Sequence, residues 1–139
     1  MRQAQTLLEI TSDGPGLYEF TAQVTGWCAD QDIAEGLLPV YIAHTSASLT
    51  IQENADPDVL HDIEVFFRQL VSRDPGLYRH GAEGPDDMPA HIRSLLTSTN
   101  LSIPVADGRP VLGTWQGIYL YEHRDRPHRR KIHLHLSGE

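Results

Sequence analysis

One amphipathic segment constrains this fold most. From Asp56-Pro57 onward, Val59, Leu60, Ile63, Phe66, Phe67 and Leu70 recur at helical spacing, making an apolar face that must be buried against another layer. Asp accepts hydrogen bonds from the free N–H groups of a helix start, and Pro in the first turn sacrifices none, so a helix is predicted over about 57–72. On either side the apolar period falls to two. Leu8 and Ile10, then the stretch from Leu17 to Val24, flank the turn Asp13-Gly14-Pro15-Gly16 and read as a hairpin. Ala29 to Glu35 reads as a short helix, Leu38 to Ala43 as a buried strand, and Leu49 to Gln52 as another. Gly76 to Asp87 reads as a long loop, and Pro89 opens a second helix that runs through Leu96 with His91 in its first turn.

The C-terminal third is strand and turn. Leu101 to Val105, Val111 to Thr114, Gly117 to Glu122 and Arg130 to Leu136 are strand-like, and Asp107-Gly108 is a hairpin signal between the first two. Strands at both ends with two helices between them imply an α+β fold: a β-sandwich of seven or eight mixed or antiparallel strands with two main helices. The length of 139 residues suits one domain spanning 1–139.

Composition narrows the function classes. A net charge of −8 opposes nucleic-acid binding, which depends on Lys and Arg neutralising phosphates. No apolar run approaches the roughly 18 residues of a membrane span, and the N-terminal stretch has no long apolar signal region. The lone Cys28, beside Trp27, reads as a buried, inert thiol in a reducing cytoplasm.

The chemistry concentrates in His44-Thr45-Ser46-Ala47-Ser48, where an apolar strand turns abruptly polar. Imidazole changes charge nearest neutral pH, and neighbouring hydroxyls can orient it or hold phosphate oxygens. His44, His80 and His91 come from separate segments and form a candidate ligand set for zinc or another transition metal, completed by carboxylate or water; hydrogen-bonding roles are the competing reading. Glu53 and Asn54 follow a strand as His44 does and are placed on the same rim, Glu53 as a base, ring orienter or metal carboxylate, while Asp56 caps its helix. Asp86 and Asp87 face a metal or complement the helix dipole. Trp115 and Gln116, between two glycines, offer a stacking ring and an amide for a planar heterocycle, against a core reading for the Trp. His133 and His135 read as an exposed or interface stripe and His61 as a solvated helix residue. The arginine-rich turn from Glu122 to Arg130 is read as solvated, with contact to phosphate or a neighbouring subunit as its functional alternative.

The ordered set His44-Thr45-Ser46-Ala47-Ser48, Glu53-Asn54, Asp86-Asp87-Met88-Pro89-Ala90-His91 and Gly113-Thr114-Trp115-Gln116 resembles the YjbQ-like family over nearly the whole chain. That resemblance implies a homotrimer with sites near subunit boundaries and a secondary thiamine-phosphate synthase activity. The implied reaction joins hydroxymethylpyrimidine diphosphate to a thiazole phosphate and releases pyrophosphate. Under it, Thr45, Ser46 and Ser48 bind phosphate, the pyrimidine stacks near Trp115, Gln116 and Asn54 contact substrate, and His44, Glu53 and His91 are the catalytic set. A divalent cation, magnesium or zinc, offsets the diphosphate charge. The segment Leu95 to Asn100 departs from relatives in lacking a Gly after the helix, and Asn100 is the residue able to take its left-handed conformation. Two rivals stand beside this reading: a metal-dependent hydrolase on His44, His80 and His91, and a non-catalytic trimer that binds small anions.

Overall fold

The computed structural model describes residues 1–139. It has eight strands and three α-helices: β1 (Arg2–Asp13), β2 (Gly16–Glu19), α1 (Thr21–Ala29), β3 (Gly36–Ile42), β4 (Ala47–Glu53), α2 (Pro57–Leu70), α3 (Asp87–Leu96), β5 (Asn100–Ala106), β6 (Arg109–Pro110), β7 (Gln116–Glu122) and β8 (Pro127–Gly138). The strands form a five-stranded sheet, β1-β8-β3-β5-β6, and a three-stranded sheet, β2-β7-β4. Every pairing between them is antiparallel.

The inner faces of the two sheets supply most of the core. Leu38, Val40, Ile42, Ile103, Ile132, Leu134 and Leu136 meet Leu49, Ile118 and Leu120 there; alternation puts polar neighbours outside on β8, but Leu37, Pro39 and Tyr41 outside on β3. Phe20, Val24 and Cys28 close one edge from α1, and the buried thiol is pushed up to about 11 by its surroundings. Such a thiol is not a nucleophile at neutral pH.

Three expectations need correction. The segment around Asp13–Gly16 is not a hairpin, because β1 pairs with β8 and β2 with β7. Gly14, at a φ of 104°, lets the chain step from one sheet to the other. The second strand of the supposed hairpin ends at Glu19, and α1 replaces both its continuation and the helix expected from Ala29 to Glu35. Phe20, Val24 and Cys28 lie four apart, a spacing that satisfies period two and a helix equally, so the pattern alone could not separate them. The strand expected at Val111 to Thr114 is also absent. There the Gln116 side chain accepts from the Gly113 N–H at 2.7 Å and holds a turn.

α2 carries its Asp56 cap as read, the carboxylate accepting from the Asp58 N–H at 2.9 Å. α3 begins at Asp87, two residues before Pro89, which is tolerated because first-turn N–H groups have no partner within the helix.

Gly36 and Gly138 pack backbone to backbone where β3 meets the end of β8. A methyl on Gly36 would lie 2.2 Å from the Ser137 carbonyl oxygen. Gly36→Ala is therefore expected to destabilise by about 1–3 kcal/mol, measured by urea unfolding. An unchanged midpoint would show that the strands separate there at no cost.

Candidate active site

One end of the sandwich gathers the loop after β3, the start of α3 and the β7–β8 connection. Asp87 opens α3 and His91 sits one turn later on the same face, while His80 arrives from the long loop. His80 Nε2 is 2.6 Å and His91 Nε2 3.1 Å from the same Asp87 oxygen, Oδ2. These three atoms all lie within 4.8 Å of one another.

The other nitrogen of His91 fixes its protonation. Nδ1 lies 3.0 Å from the Thr45 carbonyl oxygen, which can only accept, so Nδ1 carries the proton and donates it. In neutral His91 the Nε2 lone pair then faces a carboxylate oxygen. Two acceptors at 3.1 Å require a cation between them, either a proton or a metal ion. A ring that donates one N–H to a backbone carbonyl and turns its bare nitrogen to a carboxylate has the orientation of a metal-ligating histidine.

Arg124 holds the carboxylates from the opposite side. Its Nη1 meets Asp87 Oδ1 at 2.7 Å, its Nε donates to Asp86 Oδ2 at 2.8 Å, and its Nη2 donates to the Glu83 carbonyl at 3.1 Å. Burial raises the Asp87 carboxyl, but the His80 hydrogen bond and the Arg124 charge outweigh it and keep Asp87 below its ordinary range.

Beneath this wall lies a buried ion pair. Glu122, fully buried, accepts from Arg130 at both oxygens: from Nε at 2.8 Å and through a second, shorter bond from Nη2. It also accepts from the Ser12 hydroxyl at 2.5 Å and from the His123 and Arg124 N–H groups at 3.0 and 3.2 Å. Arg130 passes this rigidity on by donating to Ser46 Oγ and the Ser46 carbonyl. Glu122 thus sets the backbone of the Arg124 wall and, through Arg130, the loop that carries His44, Thr45 and Ser46.

His44 accepts from the Lys131 N–H at Nε2, 2.8 Å, with Arg130 Nη1 3.3 Å from Nδ1. Burial, then the Arg130 charge, lowers its pKa, so the ring is neutral at pH 7. It lines a cleft of about 260 Å³ together with Thr45, His91, Ser94, Leu95 and Thr99. His44 and His91 therefore share a cleft, but the group whose donor atoms converge closely enough to hold a metal ion is His80, Asp87 and His91.

The remaining candidates divide by position. Ser48 is fully buried between His123 Nε2 at 2.9 Å and Thr97 Oγ1 at 2.6 Å, and Ser46 is held by Arg130, which leaves Thr45 as the exposed hydroxyl of the run. Glu53, Asn54, Trp115 and Gln116 do not share a rim with His44. In the β4–β7 register Ala47 faces Glu122 and Glu53 faces Gln116, so these four residues occupy the far end of the strands, roughly 20 Å away at about 3.3 Å per residue. The misplacement has a simple origin, because Glu53 follows one end of β4 and His44 precedes the other. At the far end the Asn54 N–H donates to the Trp115 carbonyl at 2.9 Å, the Asn54 amide donates to Glu19, Glu53 Oε2 accepts from the Asp56 N–H, and Trp115 is exposed.

The family model described as UPF0047 protein YjbQ-like matches residues 6–139. The chain belongs to the YjbQ-like UPF0047 family. A YjbQ-like relative, the UPF0047 protein of Synechocystis sp., is 53% identical over 138 residues, covering 99% of this chain and 94% of the relative. The YjbQ protein of Escherichia coli O157:H7 is 45% identical over 97% of this chain and 98% of its own length. Among solved structures, a YjbQ/UPF0047 family protein of Clostridium acetobutylicum matches with a TM-score of 0.83 at 31% identity, covering 96% of this chain and 99% of that one. No helix of this YjbQ-like chain is long and apolar enough to cross a membrane.

The turn from Glu122 to Arg130 was expected to be solvated, but Glu122, His123 and Arg130 are buried and organise the site. A carboxylate ending the apolar run Ile118 to Tyr121 was the available signal, with Arg130 opening the next apolar alternation. His123 is 4% exposed, and burial together with the Arg93 charge lowers its pKa to about 3. Its folded pKa lies below its unfolded one, so the unfolded chain binds the extra proton and stability falls as pH drops below the ordinary value of 6.5. The expected slope from this group is about 1.4 kcal/mol per pH unit, absent in His123→Gln. Equal pH slopes for the two proteins would mean that His123 protonates freely in the fold.

Proposed function

We propose that this YjbQ-like chain is a metal-dependent enzyme acting on a small phosphorylated substrate, with His80, Asp87 and His91 as the metal ligands. The observation that carries this reading is the convergence of His80 Nε2 and His91 Nε2 on one Asp87 oxygen, with the His91 ring oriented through Nδ1 by the Thr45 carbonyl. Two imidazoles and one carboxylate suit zinc better than magnesium, which prefers oxygen ligands and retains water. Tetrahedral ligands at ~2.0–2.1 Å stand ~3.3 Å apart, so the 2.6 Å contact needs to open by about 0.7 Å and the 3.1 Å contact by about 0.2 Å. A bound divalent ion would supply Lewis acidity at a phosphate oxygen.

The transfer implied by the family resemblance fits this chemistry. The pyrimidine methylene–oxygen bond breaks with both electrons leaving on diphosphate, and the thiazole nitrogen lone pair forms the new carbon–nitrogen bond. No protein nucleophile is needed. Thr45 and the neutral His44 line the cleft beside the ligands, and the Lys131 charge near His44 favours an anionic substrate, the Arg130 charge being balanced by Glu122. Trp115 lies at the other end of its own subunit, so its stacking role belongs to a homotrimer in which a neighbour brings that end near. The exposed Leu7, Leu37 and Tyr41 on the five-stranded sheet support such an assembly, and sedimentation tests it. The single buried thiol supports a cytoplasmic setting.

Purified protein, with metal content measured, is to be given hydroxymethylpyrimidine diphosphate with and without thiazole phosphate. Pyrophosphate release dependent on the thiazole, lost on chelation and restored by zinc, is expected. Release without the thiazole would make the enzyme a hydrolase. No turnover with zinc bound would leave a binding protein and overturn the catalytic reading.

A further inference from the structure

The outer face of the three-stranded sheet has an unusual composition for a surface covered by an amphipathic helix. Alternation and the β4–β7 register place Ser48, Thr50 and Gln52 beside Tyr121 and Tyr119 on that face, under α2. The apolar side of α2 therefore meets hydroxyls, an amide and phenol rings rather than aliphatic side chains. The two layers do not close: α2 has no fully buried residue, and a half-open pocket of about 260 Å³ lies between them.

The cavity has an apolar roof and a polar floor. Ile63 and Phe67 descend from α2, and Phe67 stands edge-on to Tyr121 with ring centroids 5.7 Å apart. Thr50, Gln52, Thr97 and Tyr121, with the apolar Leu17 of β2, complete the lining. Two of these polar groups are already spent: the Tyr121 hydroxyl donates to Glu64 at 2.5 Å, and Thr97 is bonded to the Arg93 carbonyl and Ser48. The other two are not. Thr50 makes only a 3.5 Å contact with a neighbouring carbonyl, and Gln52 uses its oxygen for the Glu53 N–H, leaving its amide N–H groups to donate. No carboxylate or cationic side chain lines the space.

We propose that this cavity is a ligand site, separate from the histidine cluster, for a neutral, planar, single-ring compound carrying a hydrogen-bond acceptor. Apolar walls with aromatic edges and a few uncommitted polar groups are the ordinary make-up of a small-molecule site. An engineered cavity of about 150 Å³ accommodates benzene, so this one has room for a ring and one substituent. The Thr50 hydroxyl and the Gln52 amide read the acceptor, and the ring packs against the contiguous Phe67–Tyr121 pair.

Benzamide is the probe, titrated by calorimetry and by ¹H–¹³C spectra of the aromatic side chains. Binding with an apparent Kd of about 1 mM is expected, with Phe67 and Tyr121 signals moving. Ile63→Trp fills the space and should weaken binding at least about tenfold. Gln52→Leu should weaken benzamide about fivefold while leaving toluene within about twofold, and this comparison decides alone should Ile63→Trp fail to fold. Benzoate should bind more weakly than benzamide, since burying its charge here has no compensation. No binding below about 20 mM, equal binding to wild type and Ile63→Trp, or shifts confined to other rings would overturn the proposal.

Discussion

Glu122→Ala is expected to lose about 3–5 kcal/mol of unfolding free energy, the cost of leaving a buried charge without its partner. Arg130 is 3% exposed and its guanidinium is bonded to both Glu122 oxygens, so the alanine variant strands a cation that water cannot reach. The Ser12 hydroxyl and the His123 and Arg124 N–H groups lose their acceptor at the same time. Against a typical total of about 5–15 kcal/mol, this change takes a large share of the stability. Glu122→Gln keeps the shape and one acceptor and should fall between alanine and wild type. Urea unfolding reads the difference, and a loss below about 1 kcal/mol would mean that solvent reaches Arg130 in the fold. Burial raises the Glu122 carboxyl but the Arg130 and Ser12 bonds more than offset it, so its folded pKa lies below the ordinary 4.5. Its contribution is complete above 4.5 and fades as pH drops through the folded value.

Asp87→Asn is expected to weaken zinc binding at least about 100-fold, because the amide removes the only anionic ligand from a set of three. His91→Ala should do the same, whereas His44→Ala should leave zinc affinity within about twofold, since the His44 Nε2 is committed to the Lys131 N–H. The three variants read by competition with a chromophoric chelator separate two ligand sets. A large loss in His44→Ala with little in Asp87→Asn would move the metal to His44, His80 and His91 and away from the cluster at Asp87.

The fold was largely legible because its strong signals were local. The α2 cap at Asp56, the alternation of β7 and β8 and the Asp107-Gly108 turn each depend on neighbours within a few residues, and each appears where its pattern lies. The failure at Leu17 to Val24 was of another kind. There Phe20, Val24 and Cys28 fit both periods, and the choice of helix fell to the surroundings: Thr21 Oγ1 accepts from the Ile118 N–H at 2.8 Å, and Phe20 donates its own N–H to the Ile118 carbonyl.

The candidate site divides along the same line. His44, His80 and His91 stood out by residue type, and Asp87 by its place before a helix, but the partition between ligands and cleft depended on distance. Glu53 and Trp115 fell away from His44 because β4 and β7 are extended and antiparallel, which carries adjacent motifs to opposite ends of the sandwich. Glu122 and Arg130 gained their importance from burial, a property shared between chain segments.

By itself the sequence determined most of the element types, the two-layer α+β architecture and the family, since periodicity, caps and ordered motifs are written in neighbouring residues. Tertiary structure alone decided that Asp87 faces two imidazoles, that Thr45 fixes the His91 proton, and that Ser48 is sealed from the cleft. Those outcomes follow from which strand ends and helix starts meet across the sandwich, and a hydrogen bond spanning 46 residues leaves no local trace in the chain.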